Sequence, residues 1–208
     1  MNLLIEKKLW SKGINFIAGV DEAGRGPLAG PVVAAVVVFD EATLKKTFNK
    51  KINDSKKLSS KLRDELYTHI LESANSVEVG VVTKNMIDKI NILEATKQAM
   101  NIALQKLLIN PEIVLVDGNF YKHQKYSIIN LVKGDARSYI IAAASIVAKV
   151  TRDKIMIEYD KQFPQFGFAK HKGYGTALHI RNINEYGYSP LHRTSFHLQS
   201  KLISEKNK

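Results

Sequence analysis

The chain contains no cysteine, which rules out a disulfide framework and any thiolate metal centre and leaves no need for an oxidising compartment. Long apolar runs are missing as well. The N-terminus Met1-Asn2-Leu3-Leu4-Ile5-Glu6-Lys7-Lys8 lacks the apolar stretch and small-residue cleavage site of a secretory signal. The most apolar helical candidate, residues 139–148, is too short to cross a bilayer, so a cytoplasmic protein without a membrane partner is expected. There is no internal repeat, low-complexity tract or domain linker, and 208 residues suffice for one domain, 1–208, with a sizeable core. Acids are the minority charge. Twenty Asp and Glu face 31 Lys and Arg, and the net charge of +11 points to a polyanionic partner, nucleic acid first.

Against that basic background the placement of the few acids is informative. Asp21 and Glu22 follow Phe16-Ile17-Ala18-Gly19-Val20, which reads as a buried strand, and Gly24-Arg25-Gly26 comes directly after them. Two like charges at the end of a buried strand are costly unless a cation or hydrogen-bond donors compensate. Hard oxygen ligands of this kind select Mg²⁺ or Mn²⁺. Gly-x-Gly spacing also occurs in dinucleotide-binding turns, but there a helix follows; here Pro27 and Pro31 lead into the β-branched strand 32–39. The glycines therefore suggest close approach to a nucleic-acid backbone, with Arg25 as a phosphate fork, and a plain hairpin turn is the alternative.

Further strands are expected over 77–83, 113–116 and 127–132. A helix should run from Ser60, where Leu62, Leu66, Ile70 and Ala74 recur every four positions, and another from a cap at Asn91 with Thr96, Ala99 and Ala103 inward. The stretch from Ser138 to about Tyr159, almost all apolar through Ala148, must be an interior helix, and a last helix is expected near 176–186. This alternation describes an α/β mixed sheet flanked by helices, with a small helical C-terminal extension from about residue 163. Asp117 ends one strand and Asp135 stands at a helix start, so both can join Asp21 and Glu22 where strand ends and helix starts converge. Singly, Asp117 could be an Asp-Gly turn and Asp135 a dipole-favoured helix-start acid. Together, four acids in a basic protein suit a two-metal phosphodiester site.

Eight segments in order carry a resemblance to the ribonuclease HII family, the type 2 ribonucleases H. They are Gly19 through Val32, Asp54-Ser55-Lys56-Lys57-Leu58-Ser59, Asn91-Ile92-Leu93-Glu94-Ala95-Thr96, Val116-Asp117-Gly118-Asn119 with Lys133-Gly134-Asp135, Ala142 through Val150, His171-Lys172-Gly173-Tyr174-Gly175-Thr176, and His192-Arg193-Thr194-Ser195-Phe196. The resemblance implies a ribonuclease H-like fold, hydrolysis of the RNA strand of RNA–DNA hybrids, and incision at single ribonucleotides in duplex DNA by two metal ions, Mg²⁺ or Mn²⁺. It implies that Asp21, Glu22, Asp117 and Asp135 are the catalytic metal ligands. Gly24, Arg25 and Gly26 would recognise the 2′-OH and adjacent phosphates, and Tyr174 would stack at the junction sugar; read from the residues alone, Tyr174 is as readily a surface aromatic. The type 3 relatives carry a lysine in place of Arg25 and a long extra N-terminal domain.

The alternative within enzymes is a DNA-directed nuclease or resolvase on the same acidic site; a non-catalytic basic binding module would leave the acids unexplained. Lys56, Lys57, Lys149, Arg152 and Arg193 are candidates for phosphate contact, with pairing to Asp153 the competing role for Lys149 and Arg152. His171, His192 and His197 are read as hydrogen-bonders. Gln199 and Leu202 match part of a sliding-clamp-binding peptide, but Glu205 and Lys206 stand where its aromatic pair belongs, so no clamp motif is recognised and a monomer is expected.

Overall fold

The computed structural model describes residues 3–196. Five strands, β1 (Ile17–Ala23), β2 (Val32–Phe39), β3 (Ser76–Val82), β4 (Ile113–Asp117) and β5 (Ser127–Leu131), form one sheet in the order β3-β2-β1-β4-β5. β2 runs antiparallel to both β1 and β3, whereas β4 lies parallel to β1 and to β5, so the sheet is mixed, as expected. The helices are α1 (Leu4–Trp10), α2 (Glu41–Thr47), α3 (Ser60–Ser73), α4 (Lys84–Gln105), α5 (Tyr139–Gln162), α6 (Phe168–His171) and α7 (Ala177–Tyr186). Among the described residues no helix is long and apolar enough to cross a membrane.

All eight residues of β2 are buried because the sheet is covered on both faces. Ile17, Ala35 and Val37 meet Ile140, Ala144 and Val147 of α5, while Ala18, Val20, Ala34 and Val36 meet Ala95, Ala99 and Ala103 of α4. α5 lies so close to the central strand that a Cβ on Gly19 would stand 2.6 Å from the Ile140 carbonyl oxygen. That close approach sets the depth at which the start of α5 meets the acidic end of β1.

Several boundaries depart from expectation for local reasons. β1 continues through Asp21 and Glu22 to Ala23, because its pairing with β2 persists to the Ala23 and Val33 register. α4 begins at Lys84, seven residues before Asn91, which sits at an internal kink with φ 66° and ψ 167°. There its Oδ1 accepts from the Leu93 and Glu94 amides, so Asn91 does cap the second half, while Glu94 pairs with Lys97 instead of reaching back. The seven-residue helices α1 and α2 were not foreseen; each is too short to display a periodic pattern. Ser59, Ser138 and Thr176 cap α3, α5 and α7 through their side-chain oxygens. Beyond residue 163, a 3-10 turn, α6 and α7 pack around Phe166 and Phe168 against Ala29 and Met156.

Candidate active site

Strand register brings the first acids together. Val20 of β1 stands opposite Val116 of the parallel β4, the last pair in register between them, so the next residues, Asp21 and Asp117, come side by side where the β1–β4 pairing ends, each still paired with its outer neighbour. Asp117 Oδ1 accepts from the Gly134 amide at 2.6 Å, which ties the end of β4 to the 3-10 turn Gly134–Ala136 that carries Asp135. The turn is fixed from behind as well. Glu6 of α1, fully buried, accepts from the Ser138 hydroxyl at 2.7 Å, and Ser138 caps α5. No sequence pattern announced Glu6, whose partner lies 132 positions away.

Burial, then the charges of Glu22 and Asp117, push the Asp21 carboxyl well above the usual carboxylate range; the Ser145 hydroxyl and the Glu22 amide act against this. Burial also raises Glu22, opposed by Arg25, whose Nη1 lies 3.1 Å from Glu22 Oε1. Asp135 is raised by burial and by Asp117 and Asp54. Burial would lower Lys56, but Asp135, Asp21, Asp54 and Asp117 outweigh it and hold its proton; Lys56 Nζ is 4.0 Å from Asp135 Oδ2. Glu22 Oε2 is buried with no hydrogen-bond partner. Clustered buried acids with an orphaned oxygen lack positive charge, and their donor set suits a hard divalent cation. Among the described residues no group of three or more acids or histidines encloses a single point, so water and substrate oxygens would complete any coordination shell.

Asp21, Glu22, Gly24, Arg25, Gly26 and Tyr174 line one cleft of about 200 Å³, together with Ser55, Lys56, Ser145 and Lys149. Asp117 and Asp135 are not among its lining residues; Asp117 acts on Asp21 electrostatically and Asp135 faces Lys56 at 4.0 Å. Arg25 also stacks over Phe120, 5.0 Å from the ring centroid. Tyr174 is 42% exposed, and its ring lies below Lys149 Nζ at 5.6 Å.

A ribonuclease HII family model matches residues 18–199. The chain belongs to the ribonuclease HII family. Membership makes it a divalent-metal-dependent endoribonuclease of RNA–DNA hybrids. The ribonuclease HII of Acholeplasma laidlawii is 51% identical over 204 residues, covering 98% of each chain. Among solved structures, the ribonuclease H2 from Pyrococcus horikoshii OT3 has a TM-score of 0.74 at 31% identity, covering 90% of this chain and 96% of that one. Bst-RNase HIII in complex with Mn²⁺ has a TM-score of 0.67 at 18% identity over 91% of this chain and 69% of that chain, a likeness of fold alone.

For a ribonuclease HII, two expected phosphate contacts need correction. Arg152 and Arg193 are buried, at 0% and 1% exposure, and face backbone carbonyls of the chain itself. Arg152 donates to Pro31, Lys172 and Ala29; Arg193 donates to Gly24, Arg25, Gly30 and Pro31. The two guanidiniums shape the loop that follows β1. Arginine suits this because its planar fork satisfies several carbonyls at once. Gly24 likewise has an internal reason: its φ is +98°, and a Cβ there would lie 2.6 Å from the Pro31 carbonyl oxygen and nearer still to Arg152. Gly26 is different, with nothing within 4 Å of a Cβ. Lys149 pairs with Asp153 at 2.7 Å, the competing role considered above. His171 and His192 are indeed hydrogen-bonders. The Lys57 side chain, His197 and the clamp-like residues 199–206 lie outside the described residues.

Proposed function

We propose that this chain incises duplex DNA at a single embedded ribonucleotide as well as cutting longer hybrids. The observation that carries this reading is that Tyr174 and Gly26 open onto the same cleft as Asp21 and Glu22. A 2′-OH is the one group that distinguishes RNA from DNA at a single nucleotide, so a reader must sit within reach of the acids that do the chemistry. Gly26, open towards the cleft, lets backbone N–H groups approach the sugar and phosphate. Arg25, held by Glu22 and Phe120, can swing its fork to a phosphate oxygen, and Tyr174 offers a ring on which the junction sugar rests. Residues from about 163 serve this role as a substrate-binding extension of a single catalytic domain.

Asp21, Glu22, Asp117 and Asp135 would hold Mg²⁺ or Mn²⁺. Bound as a pair, such ions supply a nucleophile from water and charge stabilisation at the leaving oxygen. The acids hold their place through local bonds: Asp117 through the Gly134 amide, Asp21 through Ser145 and the Glu22 amide. Lys56 adds positive charge beside Asp135, where a phosphate would approach four carboxylates.

The test is incision of three matched duplexes, carrying one ribonucleotide, an RNA strand, or DNA alone, with Mg²⁺ or Mn²⁺ and products mapped to the nucleotide. Cleavage at the lone ribonucleotide and in the hybrid, with the all-DNA duplex intact, is expected. Cleavage of the all-DNA duplex would favour the DNA-directed reading.

A further inference from the structure

The two elements that read the substrate meet at one dipeptide. Arg193 holds the carbonyls of Gly24 and Arg25, and the residue before it, His192, reaches Tyr174 through a second histidine. The polarity of that path follows from one fixed donor. The Ser189 amide donates to His192 Nδ1 at 2.8 Å, so a neutral His192 carries its proton on Nε2. His192 Nε2 lies 3.0 Å from His179 Nε2, which must then accept, leaving the His179 proton on Nδ1. His179 Nδ1 lies 3.0 Å from the Tyr174 carbonyl and donates to it. Every polar ring atom of the pair thus has one permitted role.

We propose that His192 and His179 are positioning residues, a neutral imidazole chain that holds the Tyr174 peptide in register with the Gly24–Gly26 loop. The inference rests on the reading of Tyr174 as the junction reader. The segment needs an anchor: Lys172 and Gly173 are consecutive left-handed residues, with φ 52° and 82°. Tyr174 itself lies in a turn, its amide donating to the His171 carbonyl and its carbonyl accepting from Thr176. Arg152 holds the Lys172 carbonyl and the Leu28 amide holds the Gly173 carbonyl, but without His179 the Tyr174 carbonyl itself keeps only the Thr176 amide. Burial and the neighbouring His171 lower His179 to about 4, and burial, with His171 and Lys84, lowers His192 to about 4, in keeping with a neutral chain at neutral pH. An added proton would set two donors against each other, either at Ser189 or between the rings. His171 stacks on His179, with ring centroids 4.2 Å apart, and its own Nε2 bonds to Phe166, so it packs the chain without belonging to it.

Two measurements on the full chain test this. In the wild type, imidazole ¹⁵N shifts at neutral pH should show His192 protonated on Nε2 and His179 on Nδ1; the opposite tautomer of either overturns the chain. In single-turnover incision, His179→Leu should slow cleavage at a lone ribonucleotide about ten-fold more than cleavage of a long hybrid, the size of one lost hydrogen bond. His179→Asn, whose amide can sit where Nδ1 was, should recover most of that difference. His192→Asn keeps the contact to Ser189 and loses the link to His179, so it should reproduce His179→Leu even if that variant folds poorly. Equal losses on both substrates in His179→Leu and His192→Asn overturn the proposal. Tyr174→Ala in the same assay separates the two readings: if it fails to discriminate while the tautomers and the Tyr174 amide shift in His179→Leu are as expected, the chain stands and the junction role of Tyr174 falls.

Discussion

Arg193 Nη2 donates to the Gly24 carbonyl at 2.6 Å, joining residues 169 positions apart. The same guanidinium reaches Arg25, Gly30 and Pro31, and among the described residues it makes no ion pair. A buried cation whose hydrogen bonds all go to carbonyls, with the Phe196 ring 4.9 Å away, acts as a template for the backbone around it. The loop after β1 therefore depends on a residue from the far end of the fold.

Arg193→Lys keeps the charge but replaces a planar fork with a point donor, leaving carbonyls of the loop unpaired. A stability loss of about 2 kcal/mol is expected, with a lower incision rate on every substrate. Urea denaturation and single-turnover rates check this together. Wild-type values of both would refute the template role.

Gly24→Ala and Gly26→Ala should separate structure from recognition. The first puts a side chain at φ +98° and against Arg152, so it should cost about 2–3 kcal/mol and depress cleavage of all ribonucleotide-containing substrates. The second meets no protein atom, so its melting temperature should stay near wild type while its activity falls, because the added methyl enters the cleft. Full activity in Gly26→Ala would remove that glycine from the substrate path.

Adding Mg²⁺ or Mn²⁺ should raise the melting temperature of the wild type, and chelator should reverse the rise, since a cation relieves repulsion among Asp21, Glu22 and Asp117. At a hundred-fold excess over Kd the stabilisation is about 2.7 kcal/mol. Asp21→Asn should lose most of this shift and nearly all cleavage, yet bind hybrid at least as tightly, because one repelling charge is gone. Cleavage above a few per cent of wild type would exclude Asp21 from the chemistry.

Acid should weaken the fold in two steps. His179 and His192 titrate near 6.5 when unfolded and about 4 when folded, so only the unfolded chain gains their protons as pH falls from about 6.5 to 4. Their contribution is complete above that window and lost through it. Asp88 is lowered from 3.8 to about 2 because bonds from Ser195 and Thr194 outweigh its burial, and its contribution disappears only as pH falls from about 4 to 2. Urea midpoints measured from pH 8 to 3 should drop through the first window. Asp21, Glu22 and Asp135, raised in the fold, take up protons there first and offset part of this drop, so the profile is compared with that of His179→Asn; identical profiles between pH 6.5 and 4 would show that His179 titrates normally in the fold.

Much of the site was legible in the chain because its signals are local. Apolar runs ending in Asp21-Glu22 and in Asp117 mark neighbouring inner strands that carry carboxylates towards the same end of the sheet, and Ser59, Ser138 and Thr176 mark helix starts by a side-chain bond to an amide three residues ahead. Composition alone gave the basic surface that such acids stand out against. What the chain could not disclose is where long polar side chains end. Arg152 and Arg193 look like phosphate ligands in the sequence, and only packing against the residue 24–31 loop turns them inward. Glu6 beneath Ser138, and His192 against His179, are likewise made by elements that meet only after the sheet and helices assemble. A period or a cap is encoded within a few residues, whereas the partner of a buried polar group is chosen by whichever distant backbone the fold brings within 3 Å.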